Sequence, residues 1–159
     1  WLMNFDGSGK SQIISQHGRT PSWSKDGNKI AFWSNRDGAS NQEIYVMDVD
    51  GSNQVNISNF GGNDATPQWS PVDDKIVFRS SRFGGTEIMI MDTDGSNQSR
   101  LTTSSNASDP TWSPDGTKIV YADDPAGLNI YIYVMNADGT NQTRLTTESE
   151  LNFTPDWGP

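Results

Sequence analysis

Short runs of apolar residues, rich in β-branched and aromatic side chains, alternate along this chain with polar turns. The stretch 110–146 is the clearest example, and its four runs read as strands rather than helices. Pro-Asp-Gly at 114–116 and Asp-Gly at 138–139 signal turns, because Gly tolerates positive φ and Asp hydrogen-bonds to its own backbone. The stretch therefore predicts one four-stranded antiparallel sheet. Its strands are predicted at 110–113, 118–122, 129–136 and 142–146.

The Asp-Gly signal returns along the chain with a constant period. Its glycines are 44 residues apart, whereas a tryptophan in the first run recurs with spacings of 46, 43 and 45 residues. Because a single four-stranded sheet would leave its apolar faces exposed to solvent, such repeats have to stack on one another. We therefore interpret these residues as structural and the tryptophans as packing between repeats. The structural set is Gly51, Gly95, Gly139, Trp23, Trp69, Trp112 and Trp157.

The repeat divides the chain into a single all-β domain of three full units and two part-units. Residues 20–65, 66–109 and 110–152 each carry four predicted strands, residues 1–19 carry the two outer strands of a unit, and residues 153–159 carry only the innermost strand. No window sustains a helical apolar pattern.

Composition and charge exclude several classes of function. The apolar content of 32% and the net charge of −9 would be compatible with disorder, but the aromatic residues and the strict repeat argue against it. An acidic surface repels phosphate backbones, so we expect no nucleic acid partner. No apolar run approaches the length of a membrane span, and the absence of cysteine excludes thiolate metal sites.

The sequence offers little support for catalysis or metal binding. His17 is the only histidine and no Gly-x-Ser-x-Gly elbow is present, so we predict no catalytic residue and no cofactor. The segments 48–53 and 92–97 resemble calcium loops, but Gly stands at position 4 where an EF-hand loop requires it at position 6. We interpret both segments as hairpin turns and predict no metal site.

Four residues are candidates for a binding surface. Trp33 has no counterpart in the other units, where Arg79 and Ala122 take its position, so the scaffold does not explain it. Phe83 is the second aromatic candidate, although burial between repeats explains both residues equally well. Two arginines precede Asp-Gly and Phe-Gly in equivalent loops, and pairing with a carboxylate of the neighbouring repeat is favoured over pairing with a partner protein. The predicted binding residues are Trp33, Arg36, Arg82 and Phe83.

The pattern Pro-x-Trp-Ser-Pro-Asp-Gly-x-Lys-Ile-Val-Tyr, followed by Ile-Tyr-Val-Met-Asn-Ala-Asp-Gly-Thr-Asn-x-x-Arg-Leu-Thr, resembles the WD-like repeat of the TolB-like β-propeller family. The resemblance implies four-stranded antiparallel blades around a central channel. It also implies a non-catalytic module that binds a protein or peptide in the bacterial periplasm or outside the cell. The alternative is a propeller fragment of a peptidase- or lyase-associated enzyme, without an active site of its own.

The two part-units lead to a prediction about assembly. Combined, they would form a mixed closing blade that lacks the strand equivalent to 118–122. We therefore expect either that the ring is completed by another chain or that the sequence is a piece of a longer propeller. A head-to-tail homodimer would have three blades from each chain and two shared ones.

Overall fold

The computed structural model describes residues 1–14, 17–38, 40–147 and 154–157, and these residues form twelve strands and no helix. No element in this part of the chain could therefore cross a membrane as a long apolar helix. The strands are β1 (Arg19–Trp23), β2 (Lys29–Ser34), β3 (Glu43–Asp48), β4 (Val55–Asn56), β5 (Asp64–Trp69), β6 (Lys75–Ser80), β7 (Glu87–Asp92), β8 (Ser99–Arg100), β9 (Ser108–Trp112), β10 (Lys118–Asp123), β11 (Tyr131–Asn136) and β12 (Thr143–Arg144).

The strands build three antiparallel sheets of four, each a meander in sequence order. The first sheet contains β1 to β4, the second β5 to β8 and the third β9 to β12. The all-β class and the four-stranded antiparallel sheets are thus confirmed. The described sheets form an open stack, and they do not close into a ring.

The outermost strands are shorter than the sequence predicts. In the third sheet, β12 covers Thr143–Arg144 and not the predicted 142–146. A side chain explains the early end: the hydroxyl of Thr146 accepts the hydrogen bond of the Ile132 amide at 3.0 Å, where a backbone carbonyl would continue the ladder. Ser58 and Thr102 do the same in the other sheets, bonding the Ile44 and Ile88 amides at 2.9 Å.

The first strand of each sheet, β1, β5 or β9, is called its inner strand. Each inner strand contains a bulge at the residue before its proline. Thr20, Thr66 and Asp109 have φ angles of 43°, 50° and 49°, and the pairing register shifts at each of these points. A bulge leaves an extra residue on one strand and increases the local twist. The repeat therefore extends to the backbone conformation of the inner strands.

Neighbouring sheets share their apolar cores. Ala31 and Val46 of the first sheet pack with Trp69, Phe78 and other residues of the second sheet in one buried cluster. A second cluster joins the second and third sheets around Trp112. Trp69 and Trp112 are 9% and 7% exposed, as packing between repeats predicts, but Trp23 is 47% exposed because no full sheet precedes it.

Three of the Asp-Gly turns, those of Gly51, Gly95 and Gly139, pack against the backbone of the preceding repeat. Gly95 has a φ of 87°, and a Cβ atom there would overlap the carbonyl oxygen of Ile57 on the preceding sheet. Gly51 and Gly139 lie in the same way against the carbonyls of Ile13 and Leu101. Glycine is therefore favoured at these turns for two reasons: the backbone is left-handed there, and another stretch of backbone approaches closely.

The terminal part-units have little regular structure of their own. Residues 1–14 form a single antiparallel bridge, Leu2 to Ser11, and no named strand where two outer strands were predicted. Residues 154–157 also form no strand, and the rest of the predicted 153–159 strand lies outside the described residues. Trp157 nevertheless donates from Nε1 to the Thr111 carbonyl at 3.4 Å, as Trp112 donates to the Gln68 carbonyl at 3.1 Å.

Candidate functional site

The inner strands line a polar cavity of about 530 Å³. Four equivalent bulge residues surround it, Thr20, Thr66, Asp109 and Thr154, the last with a φ of 52°. Thr154 therefore shares the positive φ of the other three residues, although residues 154–157 form no strand. Hydroxyl and carboxylate side chains share the lining of this cavity with Pro110 and Pro155.

A buried ion pair lies at the junction of the first and second sheets. Arg82 donates from Nη2 to Asp64 Oδ2 at 2.5 Å, and the two side chains are 4% and 1% exposed. Burial raises the pKa of the Asp64 carboxyl, and the hydrogen bond from Ser80 and the charge of Arg82 only partly offset that effect. Gln98 accepts a further bond from Arg82 at 2.7 Å. The sequence analysis favoured a carboxylate of the neighbouring repeat for this arginine. Asp64 lies in the preceding predicted unit, 20–65, but in the structure it begins β5 of the second sheet.

The Arg82 guanidinium supports an exposed aromatic surface. It lies 4.5 Å from the ring centroid of Phe60 and 5.6 Å from that of the buried Phe78, so it is held between two rings. Phe60 is itself 54% exposed and Phe83, in the β6–β7 loop, is 52% exposed. The Arg100 guanidinium lies 4.9 Å from the Phe83 ring centroid. Each of these two exposed rings thus has an ion-paired arginine beside it, since Arg82 pairs with Asp64 and Arg100 pairs with Glu87.

Phe60 and Phe83 line a groove of about 510 Å³ between the first and second sheets, which we call the Phe60–Phe83 groove. Its floor includes Met89 and Arg82, and Asp94 lies at its border. Exposed aromatic residues around a concave surface are the composition of a binding site rather than of a random surface. The structure therefore brings two of the predicted residues, Arg82 and Phe83, to one site.

The other two predicted residues lie away from that groove. Arg36 in the first sheet donates to Gln54 at 2.5 Å and lies 4.5 Å from the ring centroid of Tyr45, but its Nη2 is buried without a hydrogen-bond partner. Gly18 stands where the second sheet has Asp64, so the first sheet supplies no carboxylate to this arginine. Trp33 is half-buried against the first core cluster, with Arg19 5.5 Å from its ring centroid.

The Asp-Gly turns use their carboxylates internally. Asp48 accepts from Lys29 at 2.8 Å and from Asn53 at 2.6 Å, and these bonds lower its pKa. Asp50 accepts from the amide and hydroxyl of Ser52 at 2.8 and 2.6 Å. These oxygen atoms already have donors, as the hairpin-turn interpretation predicts. Within residues 1–14, 17–38, 40–147 and 154–157, no three His, Cys, Asp or Glu side chains are grouped to hold a metal.

Sequence reasoning missed three contributors to this region: Phe60, Asp64 and Gln98. Gln98 had a detectable signal, because Gln54 and Gln142 precede and follow it by 44 residues. Gln98 and Gln142 donate to a carbonyl of the preceding sheet, at 3.2 Å to Ile57 and 2.9 Å to Leu101. Phe60 had no such signal, since its segment differs in length and composition from the equivalent segments.

Comparison with known proteins identifies relatives across this chain. Residues 1–159 match the family profile described as the TolB beta propeller domain. An uncharacterized protein of Agrobacterium fabrum is 31% identical to this chain, and the match covers 69% of the chain and 40% of that protein. The Tol-Pal system protein TolB of Bordetella pertussis is also 31% identical, and the match covers 77% of the chain and 29% of that protein. The crystal structure of TolB from Acinetobacter baumannii superposes with a TM-score of 0.80 at 27% identity, over 94% of the chain and 38% of that structure. The chain thus spans well under half of each of these relatives.

Proposed function

Because the chain belongs to the TolB β-propeller domain family, we propose that it is a non-catalytic propeller module that binds a protein or peptide. The observation that carries this proposal is the Phe60–Phe83 groove, where two rings are about half exposed over a concave surface. Function in propellers lies in sites built on a common scaffold, so the site and not the fold supports the proposal. We further propose a periplasmic or secreted location in a bacterium, and a ring completed by self-association.

The groove has the features expected for an extended peptide with an apolar anchor. Phe60 and Phe83 offer apolar surface at little cost in side-chain entropy, because a phenylalanine has only two rotatable side-chain bonds. Asp94 at the border and the net charge of −9 favour basic residues beside the anchor. The Arg82 side chain is only 4% exposed and lies 4.5 Å from the Phe60 ring centroid, so its main role in this proposal is to position Phe60.

The proposal is tested by selecting peptides from a phage-displayed library of random peptides on the 159-residue chain. Every enriched peptide is then measured by fluorescence anisotropy on the wild type and on the Phe60→Ala/Phe83→Ala double variant. We expect the double variant to bind at least about tenfold more weakly, equivalent to about 1.4 kcal/mol.

Phe5→Ala is the matched control, because Phe5 is a fully exposed phenylalanine outside the groove. We expect it to bind like the wild type. Enriched peptides that bind the double variant as tightly as the wild type, or a selection that enriches nothing, would overturn the proposal.

A further inference from the structure

In the second sheet, the guanidinium of Arg82 is held by groups of three kinds besides its ion pair. Its Nε donates to the hydroxyl of Ser80 at 2.9 Å, and its Nη1 donates to the amide oxygen of Gln98 at 2.7 Å. The ring centroid of Phe78 lies 5.6 Å from the guanidinium. We call this set of positions, at the end of the second strand, before the fourth strand and on the second strand, the guanidinium site of a sheet.

The first sheet builds the same site around Arg36. The Nε of this arginine donates to the hydroxyl of Ser34 at 3.2 Å, and its Nη1 donates to Gln54 at 2.5 Å. The guanidinium lies 5.3 Å from the ring centroid of Phe32 and 4.5 Å from that of Tyr45. The chain thus fills two guanidinium sites with arginines of its own.

The third sheet keeps the loop that carries the arginine but not the arginine itself. The Gly127 amide donates to the Asp124 carbonyl at 3.2 Å, as the Gly84 amide donates to the carbonyl three residues before it at 3.3 Å. The two loops therefore make the same turn, and Pro125 takes the position of Arg82 within it. This loop consequently supplies no guanidinium to the third site.

The positions that line the third guanidinium site nevertheless carry groups suited to a guanidinium. Asp123 stands where the first two sheets have a serine, and Gln142 keeps the glutamine. Tyr121 takes the place of the phenylalanine, and its ring stacks on that of Tyr133 with the centroids 5.6 Å apart. Carboxylates form strong charge-assisted hydrogen bonds with a guanidinium, and aromatic rings attract it through their faces.

The Asp123 carboxyl is buried without a positive partner. It is 4% exposed, and its Oδ1 accepts no hydrogen bond from the described residues. No ion pair in this part of the chain includes it. Burial raises the pKa of the Asp123 carboxyl, and the Ser104 hydroxyl and the Asp124 amide offset that effect only partly. A buried carboxylate of this kind is costly unless a cation or a donor completes it.

The third sheet itself replaces only part of the missing arginine. The Tyr121 hydroxyl donates to the Gln142 amide oxygen at 3.2 Å, and so takes the role of the arginine Nη1. Arg144 of the same sheet lies over the ring of Tyr131 instead, 4.6 Å from its centroid. The Nε donor, which in the other two sheets bonds the residue at the Asp123 position, has no replacement among the described residues.

We propose that the third guanidinium site binds an alkylguanidinium group from outside the chain, the side chain of an arginine, through Asp123, Gln142 and the Tyr121 and Tyr133 rings. The group enters beside Pro125, along the path by which Arg82 reaches the equivalent site. The inference goes beyond the proposed function, because Tyr121 belongs to the cluster between the second and third sheets whereas the Phe60–Phe83 groove lies between the first and second.

The geometry of the site favours arginine over lysine. A planar guanidinium can donate to Asp123 and to Gln142 at the same time, as the guanidinium of Arg82 donates to a hydroxyl and an amide oxygen. An ammonium is a point charge and satisfies the carboxylate alone. We therefore expect an arginine derivative to bind at least about fivefold more tightly than the matching lysine derivative.

Titration of the 159-residue chain with Nα-acetyl-L-arginine methylamide, followed by the backbone amide signals in nuclear magnetic resonance spectra, tests the proposal. We expect saturable shifts centred on Asp123 and Tyr133. Asp123→Asn keeps the size of the side chain and should weaken binding at least about tenfold. Asp73→Asn is the matched control, because it removes the same charge from an exposed turn and should bind like the wild type.

A second pair of variants tests the correspondence between Pro125 and Arg82. Pro125→Arg should place a guanidinium of the chain itself in the third site and weaken binding of the arginine derivative at least about tenfold. Pro125→Ala changes the same exposed loop position without supplying a guanidinium, and should bind like the wild type. A wild type without saturable shifts, equal affinity for the lysine derivative, or an Asp123→Asn or Pro125→Arg variant that binds like the wild type would each overturn the proposal.

Free L-arginine, titrated in parallel, distinguishes two sources of the same group. Tighter binding of the blocked derivative assigns the ligand to an arginine residue of a polypeptide, whereas tighter binding of the free amino acid assigns it to a small guanidinium compound; both outcomes support the site. The Phe60→Ala/Phe83→Ala double variant should bind the arginine derivative like the wild type. The guanidinium site and the peptide groove can therefore each fail without the other.

Discussion

The first and second sheets carry nearly the same sequence motif, yet they bury it to very different extents. Trp69 in the second sheet is 9% exposed, and Trp23 at the equivalent position of the first sheet is 47% exposed. The difference lies in what precedes each sheet: the first sheet covers Trp69, but only the N-terminal segment lies before Trp23.

This comparison shows that a repeat does not contain its own core. The apolar residues of each sheet are completed by the preceding sheet, so stability is a property of neighbouring pairs. The same holds for polar groups, because Arg82 has Asp64 in the second sheet whereas Arg36 has no equivalent carboxylate in the first. Identical motifs should therefore respond differently to identical substitutions.

The largest difference is expected for the two tryptophans. Trp69→Ala removes a buried indole from the first interface and should lower the free energy of unfolding by about 3–5 kcal/mol. Trp23→Ala removes a half-exposed indole and should cost less than about 2 kcal/mol. Urea unfolding followed by circular dichroism measures both values. Equal losses would show that the motif, and not the preceding sheet, determines the contribution of the tryptophan.

A smaller difference is expected between two glycines in equivalent turns. Gly95 and Gly7 both have positive φ, 87° and 81°, so alanine costs about 1–2 kcal/mol of backbone strain at either position. Only at Gly95 would the new Cβ also overlap a carbonyl oxygen, that of Ile57, whereas nothing lies within 4 Å at Gly7. Gly95→Ala should therefore destabilise the chain by about 1 kcal/mol more than Gly7→Ala in the same urea experiment. Similar losses at both sites would exclude the close approach as a reason for the glycine.

Much of the fold could be predicted because the repeat is local. The strand content, the antiparallel sheets and the Asp-Gly turns all follow from short patterns that recur every 44 residues. The lengths of the outer strands could not be predicted, since a side-chain hydroxyl at Thr146 ends the ladder early. The exposure of Trp23 was also missed, because it depends on the preceding sheet and not on the motif around it.

The candidate groove was only partly visible in the sequence. Phe83 was identified as an aromatic candidate beside Arg82, but Phe60 lies in a connecting segment with no fixed pattern. Arg82 was identified as well, while its partner Asp64 depends on a pairing across β5 and β6 that no local motif specifies. Sites between sheets combine residues from segments that vary independently, so sequence periodicity identifies only one side of such a site.

The third sheet contains a buried carboxylate but has no arginine at the position of Arg82. Asp123 is 4% exposed, Pro125 stands where the second sheet has Arg82, and burial raises the pKa of the Asp123 carboxyl. A raised pKa means that the folded state binds the proton more tightly than the unfolded state. This contribution to stability is therefore complete below the unfolded pKa of about 3.9 and is lost as the pH rises through the folded pKa.

Asp123→Asn keeps the side chain neutral at every pH and should reveal that loss. At pH 7 we expect it to raise the free energy of unfolding by about 1 kcal/mol, and the gain should disappear as the pH falls towards 4. Asp115→Asn is the control of opposite sign, because hydrogen bonds from Ser113 and Thr117 lower the pKa of Asp115 to about 2. Its carboxylate stabilises the fold above pH 4, so Asp115→Asn should destabilise the chain at pH 7. Urea unfolding between pH 4 and 7 measures the free energy of unfolding of both variants. A loss of stability for Asp123→Asn at pH 7 would contradict the prediction, because it would show that a partner stabilises the charged Asp123 carboxylate.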